Sequence, residues 1–303
     1  MIPTRNHSKK RVLITGASSF MGAHACRYIS QHATVVGVYH SNPIHLPNIE
    51  SIKIDLTNPR SVRQIQKQNI DIIVHLASKI QNSPKRSAYD CNQSMMSHLL
   101  QLNTPMIYCS STAVHWQSDI PYVRSRKEEE QALQNSKLPF VILRPCAPYG
   151  PPLLFHKPKH TESFQTLINI VSHAPVVPVI GDGTYLRQPV HVDDFCALIL
   201  YYIRQKPDQS VLDVGGSKAY SFDKIISIIQ KTLRRSTPIL HVPKTLALLA
   251  IRAKLFPNLE ESLVSTIDVS EAFDIKPILE RIPSVRSFEE GHVDLLRFHE
   301  QSP

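Results

Sequence analysis

Glycine and cysteine are both used sparingly in this chain of 303 residues, which contains 9 glycines and 5 cysteines. The cysteines are far apart and form no CxxC pair, which excludes the usual spacing of a zinc site or a disulfide framework. No apolar run reaches the ~18 residues that a membrane-spanning helix requires, and the polar N-terminus lacks the apolar segment of a secretory signal. We therefore expect a cytoplasmic protein with reduced thiols, no metal site and no membrane partner.

The positive charge of the chain is large but dispersed. The formal net charge is +9 and the sequence pI is about 9.3. Basic residues cluster only at Lys9-Lys10-Arg11, at Arg234-Arg235 and in the loop from His156 to His160, and no basic stripe with interleaved aromatic residues is present. This distribution argues against a nucleic-acid partner and leaves a phosphorylated ligand among the explanations.

Short runs rich in valine and isoleucine alternate with helical patterns as far as residue 143. Such runs are typical of strands that are buried on both faces, so the alternation predicts an α/β fold with a doubly wound parallel (Rossmann) sheet. We predict a strand from residue 11, further strands at 34–39, 51–55, 71–76, 105–109 and 140–143, and helices at 23–32, 59–68, 94–102 and 122–136.

The pattern changes after Arg144-Pro145, where prolines between residues 148 and 178 interrupt the alternation. We predict a Rossmann domain over residues 8–150, which also receives residues 187–215, and a smaller C-terminal substrate lobe over residues 151–303. Further helices are predicted at 161–172, 193–204, 222–234 and 244–256, with Ser221 as the N-cap of the third. The apolar stretch Thr245–Ile251 within the last helix is expected to be buried core or a dimer face.

A tight turn joins the first strand to the first helix at Thr15–Gly22. The N-terminus of a helix has unpaired N–H groups and a partial positive charge, so such a turn can bind the phosphates of a dinucleotide. Gly16 permits the turn and Gly22 permits close packing, whereas Ser19 occupies the place of the expected middle glycine. Alone, the pattern fits equally well a simple strand-to-helix turn of another α/β protein. The cofactor interpretation assigns to the binding site Gly16, Ser18, Ser19, Phe20, Met21 and Gly22.

The second predicted strand ends at Tyr39-His40-Ser41-Asn42, without the acidic residue that binds the ribose 2′-hydroxyl in NAD-preferring folds. His40 and Ser41 can donate hydrogen bonds to a 2′-phosphate. This favours NADP(H) over NAD(H); the alternative interpretation is that His40 is simply a solvated loop residue.

A tyrosine and an arginine stand four positions apart in the predicted helix 122–136, as Tyr122-xxx-Arg126. Residues at this spacing share one helix face, and a fixed positive charge stabilises a nearby phenolate. Tyr122 can then exchange a proton with a carbonyl or an alcohol, and Ser111 can bind the same oxygen. The pattern predicts an acid/base site for alcohol–ketone chemistry.

Motifs in a fixed order cover nearly the whole chain, and this set resembles the extended short-chain dehydrogenase/reductase family of NAD(P)-dependent nucleotide-sugar epimerases, reductases and dehydratases. The motifs are Thr15–Gly22, Asp55-Leu56, Val74–Ala77, Ser110–Thr112, Tyr122–Lys127, Leu143–Pro145, Tyr149–Pro151, Gly181–Gly183, Arg187–Asp194, Val214–Gly216 and Arg286–Gly291. Each motif alone is weak, whereas the ordered set is specific.

The resemblance implies roles for individual residues. Asp55 with Leu56 would bind the adenine end of the cofactor, and Leu76, Ala77 and Ser78 would line its pyrophosphate and ribose. Ser111, Tyr122 and Arg126 would form the catalytic site, and Arg126 would also bind the cofactor. Thr112 and Arg187 would bind substrate, with Arg187 holding the diphosphate of a nucleotide sugar. A homodimer through the helices around Leu99 and residues 122–136 is usual for the family.

Two departures from the family pattern bear on the activity. Dehydratases carry an Asp-Glu pair where this chain has Thr112-Ala113, which disfavours dehydration and leaves epimerase and reductase open. The family's lysine is replaced by Arg126, and Lys127 is rotated about 100° around the helix. The alternative is therefore a cofactor-binding regulatory or scaffold protein of the same fold that has lost catalysis.

Overall fold

The computed structural model describes residues 9–80, 87–151, 153, 156–158, 163–253, 264 and 266–296. Its strands are β1 (Arg11–Thr15), β2 (Thr34–Tyr39), β3 (Ile49–Lys53), β4 (Ile72–His75), β5 (Met106–Cys109), β6 (Phe140–Pro145), β7 (Val177–Ile180), β8 (Leu186–Arg187), β9 (Val211–Val214), β10 (Tyr220–Ser221) and β11 (Ile239–Val242). Seven of them form a sheet in the order β3-β2-β1-β4-β5-β6-β9, with every neighbouring pair parallel. The predicted α/β class with a doubly wound parallel sheet is confirmed.

Helices pack on both faces of this sheet, with α1 (Phe20–Ile29) and α6 (Val192–Gln205) on one face and α3 (Ala88–Leu100) on the other. The others are the single-turn α2 (Pro59–Val62) and the longer α4 (Pro121–Asn135), α5 (Ser163–His173), α7 (Phe222–Thr232) and α8 (Lys244–Arg252). Short 3₁₀ helices span Arg63–Gln68 and Thr112–His115, and single-turn α-helices span Lys276–Leu279, Phe288–Gly291 and Val293–Leu296.

Strand β1 lies between β2 and β4, and its side chains divide between two core layers. Val12 and Ile14 pack on the face that carries α1 and α6, whereas Leu13 packs on the opposite face with residues of α3. Successive side chains of a strand point to opposite faces, so a continuous apolar run suits this doubly covered position. The chain order reverses between β1 and β4, and a ligand crevice is expected at the carboxyl ends of these two strands.

Three predicted helices of the first half differ from the observed ones. Helix α1 spans Phe20–Ile29 rather than residues 23–32. Helix α3 begins at Ala88 rather than at residue 94, because Ser87 caps it by accepting a hydrogen bond from Asp90 N and because Cys91 and Asn92 are buried. The predicted helix 59–68 is wrong as a single element, since α2 ends at Val62 and continues as a 3₁₀ helix in which Ile65 is buried. This polar stretch buries too little surface to favour a regular α-helix.

The later part of the chain forms two small sheets and a core of its own. Strand β7 pairs with β11 and β8 pairs with β10, and Tyr149, Phe164 and Phe288 lie in a separate buried cluster. Ser221 caps α7 as predicted, accepting from Lys224 N.

Helix α8 is not buried core, which corrects that part of the expectation for the stretch 245–251. Leu246 and Leu249 are 56% and 58% exposed, and Ala247 is the buried residue of the helix. The dimer-face interpretation stays a prediction, and residues 254–256 of the predicted helix lie outside the described residues. Among the helices that the structure describes, none is long and apolar enough to cross a membrane, and no group of three His, Cys, Asp or Glu residues there could hold a metal ion.

Candidate active site

The turn after β1 brings three backbone segments into close contact. Gly16 has a φ of +67°, and a Cβ placed on it would lie 2.7 Å from Ala77 N. A Cβ on Gly22 would lie 2.0 Å from the Gly16 carbonyl oxygen. Both positions therefore require glycine, and the N-terminus of α1 is held directly against the ends of β1 and β4.

Ser19 needs no glycine in its place. Its backbone is extended, with φ −78° and ψ 168°, a conformation that any residue adopts. Its hydroxyl oxygen accepts a hydrogen bond of 3.0 Å from Gly22 N, so Ser19 is the N-cap of α1. The serine in place of the expected glycine therefore provides a hydrogen-bond acceptor for one free N–H group at the start of α1, and its backbone conformation needs no glycine.

A buried threonine and histidine fix the ends of the two strands behind this turn. Thr15 Oγ1 lies 2.7 Å from His75 Nδ1, and it accepts hydrogen bonds from Leu76 N and Ala77 N at 3.2 Å each. Burial, and then the charge of Arg126, lowers the pKa of His75 to about 3, so the imidazole is neutral. Sequence reasoning assigned no role to Thr15 or His75; their pairing depends on the register of β1 and β4.

A cavity of about 620 Å³ opens along the carboxyl ends of the strands. It runs from the ends of β2 and β3 past the glycine turn to the start of α4. The predicted site residues that line it are Gly16, Ser18, Ser19, Phe20, Met21, His40, Ser41, Asp55, Leu56, Leu76, Ala77, Ser78, Ser111, Tyr122 and Arg126. Gly22 lies beneath the turn, the buried Thr112 is not among the lining residues, and neither is Arg187.

At the β2–β3 end of the cavity, Asp55 contacts its own loop. Its Oδ1 accepts from Thr57 N at 2.9 Å and from Thr57 Oγ1 at 2.6 Å. His40 extends toward solvent with its side chain 71% exposed, and its Nε2 lies 4.0 Å from Asp55 Oδ2. Asp55 therefore places a carboxylate beside His40 at this end of the cavity.

At the opposite end, Tyr122 lies in the first turn of α4 and is half-buried. Ser111 caps the 3₁₀ helix that follows β5, accepting from Ala113 N at 3.2 Å. Burial raises the pKa of Tyr122, whereas Arg126 and a hydrogen bond with Ser111 both lower it. The three residues that the sequence nominated as catalytic are therefore brought together.

Arg126 is 1% exposed, and its guanidinium lies between the cavity and the protein core. Nη2 donates to Ser78 Oγ at 3.0 Å and Nη1 donates to the Cys109 carbonyl at 3.3 Å. Its Cζ lies 5.5 Å from the ring centroid of Tyr122. Nη2 also lies 3.0 Å from Oε2 of Glu129, a fully buried residue that sequence reasoning missed although its i+3 spacing from Arg126 was visible.

Arg187 is held by other parts of the protein. Its guanidinium donates to the carbonyl oxygens of Ile267, at 2.7 Å, and of Val269, and its Nε lies 3.4 Å from Glu271 Oε2. Glu271 is buried and also accepts from Trp116 Nε1 at 3.3 Å. In this arrangement the charge of Arg187 is largely neutralised before any ligand binds.

Two histidines connect the glycine turn and α1 to the chain after β6. His156 Nε2 lies 2.8 Å from the Ser18 carbonyl, and His24 Nε2 lies 2.6 Å from the Pro151 carbonyl. Both contacts join residues more than a hundred positions apart, so no local pattern signals them.

Comparison with known proteins points to one family. Residues 12–215 match the model of the NAD dependent epimerase/dehydratase family. A ceramide reductase of Caulobacter vibrioides is 26% identical over 64% of this chain, and the match spans 61% of that protein, less than two thirds of its length. A dTDP-4-dehydro-6-deoxy-D-allose reductase of Streptomyces bikiniensis is 24% identical over 75% of this chain and 82% of the relative.

Solved structures share the fold. The UDP-glucose 4-epimerase of Bifidobacterium longum, in complex with NAD⁺ and UDP, superposes with a TM-score of 0.76 at 19% identity, covering 97% of this chain and 99% of that one. The similarity to that NAD-bound structure extends over both the large sheet and the later part of the chain.

Proposed function

Because the chain belongs to the NAD-dependent epimerase/dehydratase family, we propose that it is an NAD(P)-dependent reductase or epimerase that acts at a carbon of a nucleotide sugar. The observation that carries the proposal is the meeting of Tyr122, Ser111 and Arg126 at one end of the cavity that begins at the glycine turn. The turn suits a pyrophosphate, since it leads into the N-terminus of α1, and Gly16 and Gly22 permit the close backbone contacts that hold the turn there. The nicotinamide would supply the hydride.

The protein's own residues would transfer the proton to and from the substrate oxygen. In the reducing direction the Tyr122 hydroxyl donates its proton to the substrate oxygen, and in the oxidising direction the phenolate takes it back. Ser111 orients the same oxygen. The positive charge of Arg126 stabilises the phenolate, as the family's lysine would, although the planar guanidinium places its donors differently from an ammonium.

Tyr122→Phe tests this role, because it removes only the hydroxyl. We expect turnover to fall by at least ~100-fold with the dissociation constant of the cofactor unchanged. The matched control is Tyr89→Phe, which removes a hydroxyl bonded to Glu128 outside the cavity and is expected to be neutral. The assay offers NADH and NADPH with a panel of 4-keto and 4-hydroxy nucleotide sugars. Normal cofactor binding without turnover of any of them would favour the regulatory or scaffold alternative.

The proposal includes a preference for NADP(H) over NAD(H). It is supported by His40 and Ser41, which lie at the β2 end of the cavity and can donate hydrogen bonds to a 2′-phosphate. His40→Ala should weaken NADPH binding about five-fold and leave NADH binding unchanged. The control is His45→Ala, an exposed histidine outside the cavity lining. Tighter binding of NADH than of NADPH by the unaltered protein would refute the preference.

A second candidate substrate is a ceramide-type lipid in place of a nucleotide sugar. It is favoured by the neutralised state of Arg187, the residue expected to hold a diphosphate, and by the likeness to a ceramide reductase. Arg187→Met separates the two candidates. A nucleotide-sugar substrate predicts a raised KM in this variant, whereas a lipid substrate predicts an unchanged KM and turnover of the lipid in detergent micelles.

A further inference from the structure

A buried pair of opposite charges lies beneath the proposed catalytic tyrosine. Arg126 and Glu129 are 1% and 0% exposed, and Nη2 of the arginine is 3.0 Å from Oε2 of the glutamate. A buried lysine can avoid the cost of a buried charge by losing its proton, but arginine stays protonated. A buried guanidinium therefore needs a negative partner. Among the described residues Glu129 is the acidic side chain that forms an ion pair with Arg126.

Of the groups around the pair, Glu130 on the same helix carries a charge, and Arg144 forms an ion pair with it. From β4, His75 is neutral because burial lowers its pKa to about 3. From β5, the Tyr108 hydroxyl faces Glu129, burial raises the pKa of Tyr108 well above its usual value, and Cys109 offers its carbonyl to Arg126. The charge that Tyr122 experiences from below is therefore set by Arg126 and Glu129.

The two residues also fix each other in place. The Arg126 guanidinium donates to Ser78 and Cys109 on its cavity side and is drawn toward Glu129 on its core side. Tyr122, Arg126 and Glu129 lie on α4 at i, i+4 and i+7, so the helix face that presents Tyr122 also presents the cation one turn later and its counterion in the next turn.

We propose that Glu129 is a positioning residue that holds the Arg126 guanidinium beneath Tyr122 and partly cancels its charge, so that the Arg126–Glu129 pair takes the place of a single cation beside the tyrosine. This inference rests on the proposed function only in calling Tyr122 catalytic. The arrangement itself is a property of the folded protein.

The charge of Glu129 has a definite sign of effect on Tyr122. A nearby carboxylate favours the neutral phenol, and a nearby guanidinium favours the phenolate. Burial raises the pKa of the Glu129 carboxyl, whereas the Arg126 guanidinium, 3.0 Å away, lowers it and favours the ionised form. Removing its charge should therefore lower the pKa of Tyr122.

Glu129→Gln tests the proposal by titration of Tyr122 in the protein without substrate. Tyrosinate formation is followed by ultraviolet absorbance, and each variant is compared with its own Tyr122→Phe partner so that the difference reports Tyr122 alone. We expect the pKa of Tyr122 to fall by about one pH unit in Glu129→Gln. In Glu129→Asp, which keeps the negative charge, the pKa of Tyr122 should stay close to that of the unaltered protein.

The matched control is Glu128→Gln, which removes the neighbouring carboxylate that bonds Tyr89 rather than Arg126. It should leave the titration of Tyr122 unchanged. If Glu129→Gln does not fold, the double variant Arg126→Met/Glu129→Met removes both charges together, and the pKa of Tyr122 should then rise above that of the unaltered protein.

An unchanged Tyr122 pKa in the folded Glu129→Gln variant, or in the double variant, would overturn the proposal. The titration of Tyr122 needs no substrate. Absence of turnover with every nucleotide sugar would therefore count against the proposed function without affecting the test of Glu129.

Discussion

Arg126 and His75 are two buried residues whose charge states differ because of their surroundings. Arg126 stays charged beside Glu129, whereas His75, hydrogen-bonded to Thr15, is held neutral. Arg126 lines the cavity and His75 lies behind it, so the end of β4 and the first half of α4 present to a ligand a fixed charge and a fixed set of hydrogen bonds.

Removal of the guanidinium should leave an unpaired buried carboxylate. For Arg126→Met we expect the free energy of unfolding to fall by about 3–5 kcal/mol, because Glu129 loses its partner. Urea unfolding at neutral pH measures the change. The control Arg124→Met alters an exposed arginine on the same helix, which stacks on Tyr89, and should cost less than about 1 kcal/mol. A loss of that small size in Arg126→Met would show that the pair does not stabilise the fold.

The neutral state of His75 predicts a loss of stability in acid. Its pKa is 6.5 in the unfolded chain and about 3 in the folded protein, so the unfolded state binds more protons between these values. The contribution of neutral His75 to the free energy of unfolding is fully present above pH 6.5 and is lost as the pH falls toward 3. By linkage it amounts to about 3 kcal/mol between neutral pH and about pH 4.

The variant His75→Gln should have a shallower dependence of unfolding free energy on pH than the unaltered protein. His32→Gln, at an exposed histidine, serves as the control and should keep the original slope. Equal slopes in His75→Gln and the unaltered protein would contradict the buried neutral imidazole.

The turn before helix α1 keeps its geometry although Ser19 stands in place of the expected middle glycine. The glycine positions 16 and 22 are imposed by contacts of 2.7 Å and 2.0 Å that a Cβ would make with backbone atoms. Ser19 meets no such restriction and caps the helix. The requirement for glycine therefore differs from one position of the turn to the next.

Capping by Ser19 can be measured in two variants. Ser19→Ala should lower the free energy of unfolding by about 1 kcal/mol, whereas Ser19→Gly should cost only about a few tenths of a kcal/mol. Cofactor affinity should stay within about three-fold in Ser19→Gly, because the backbone there is already in an ordinary extended conformation. Thermal unfolding and equilibrium dialysis with NADPH provide the two readouts. A large gain in affinity in Ser19→Gly would mean that the serine side chain obstructs the cofactor.

At the scale of the whole molecule, the cavity is assembled from segments far apart in the chain. The ends of β2 and β3, the glycine turn, the end of β4 and the start of α4 all contribute to it, and His156 reaches the Ser18 carbonyl from beyond β6. A cofactor in this cavity would contact several of these segments at once and bind only the folded state.

Cofactor binding should therefore stabilise the entire protein. At about 100 times its dissociation constant, NADPH or NADH should raise the free energy of unfolding by about 2.7 kcal/mol. Gly22→Ala should abolish this gain, because the added methyl group displaces the Gly16 carbonyl. Each variant is compared with itself in the absence of cofactor, so its own stability does not enter. A full gain in Gly22→Ala would place the ligand elsewhere.

The sequence by itself determined the order of strands and helices in the first half, the glycine turn and the tyrosine–arginine spacing on α4. These are local properties, since continuous apolar runs and helical periodicity can be recognised in short stretches of neighbouring residues. Helix α3 was predicted too short because its first turn is capped by Ser87 and polar in composition, and α8 was misjudged because its apolar residues face outward.

Only the tertiary structure decided what the charged residues contact. The i+3 spacing placed Glu129 near Arg126, but burial of both beneath Tyr122 depends on how α4 packs against β4 and β5. Likewise, Arg187 meets Glu271 through chain folding alone. Electrostatic interactions depend on distance and burial, which are set by long-range packing, and for this reason the motifs indicated the residues of the site but not the partners of their charges.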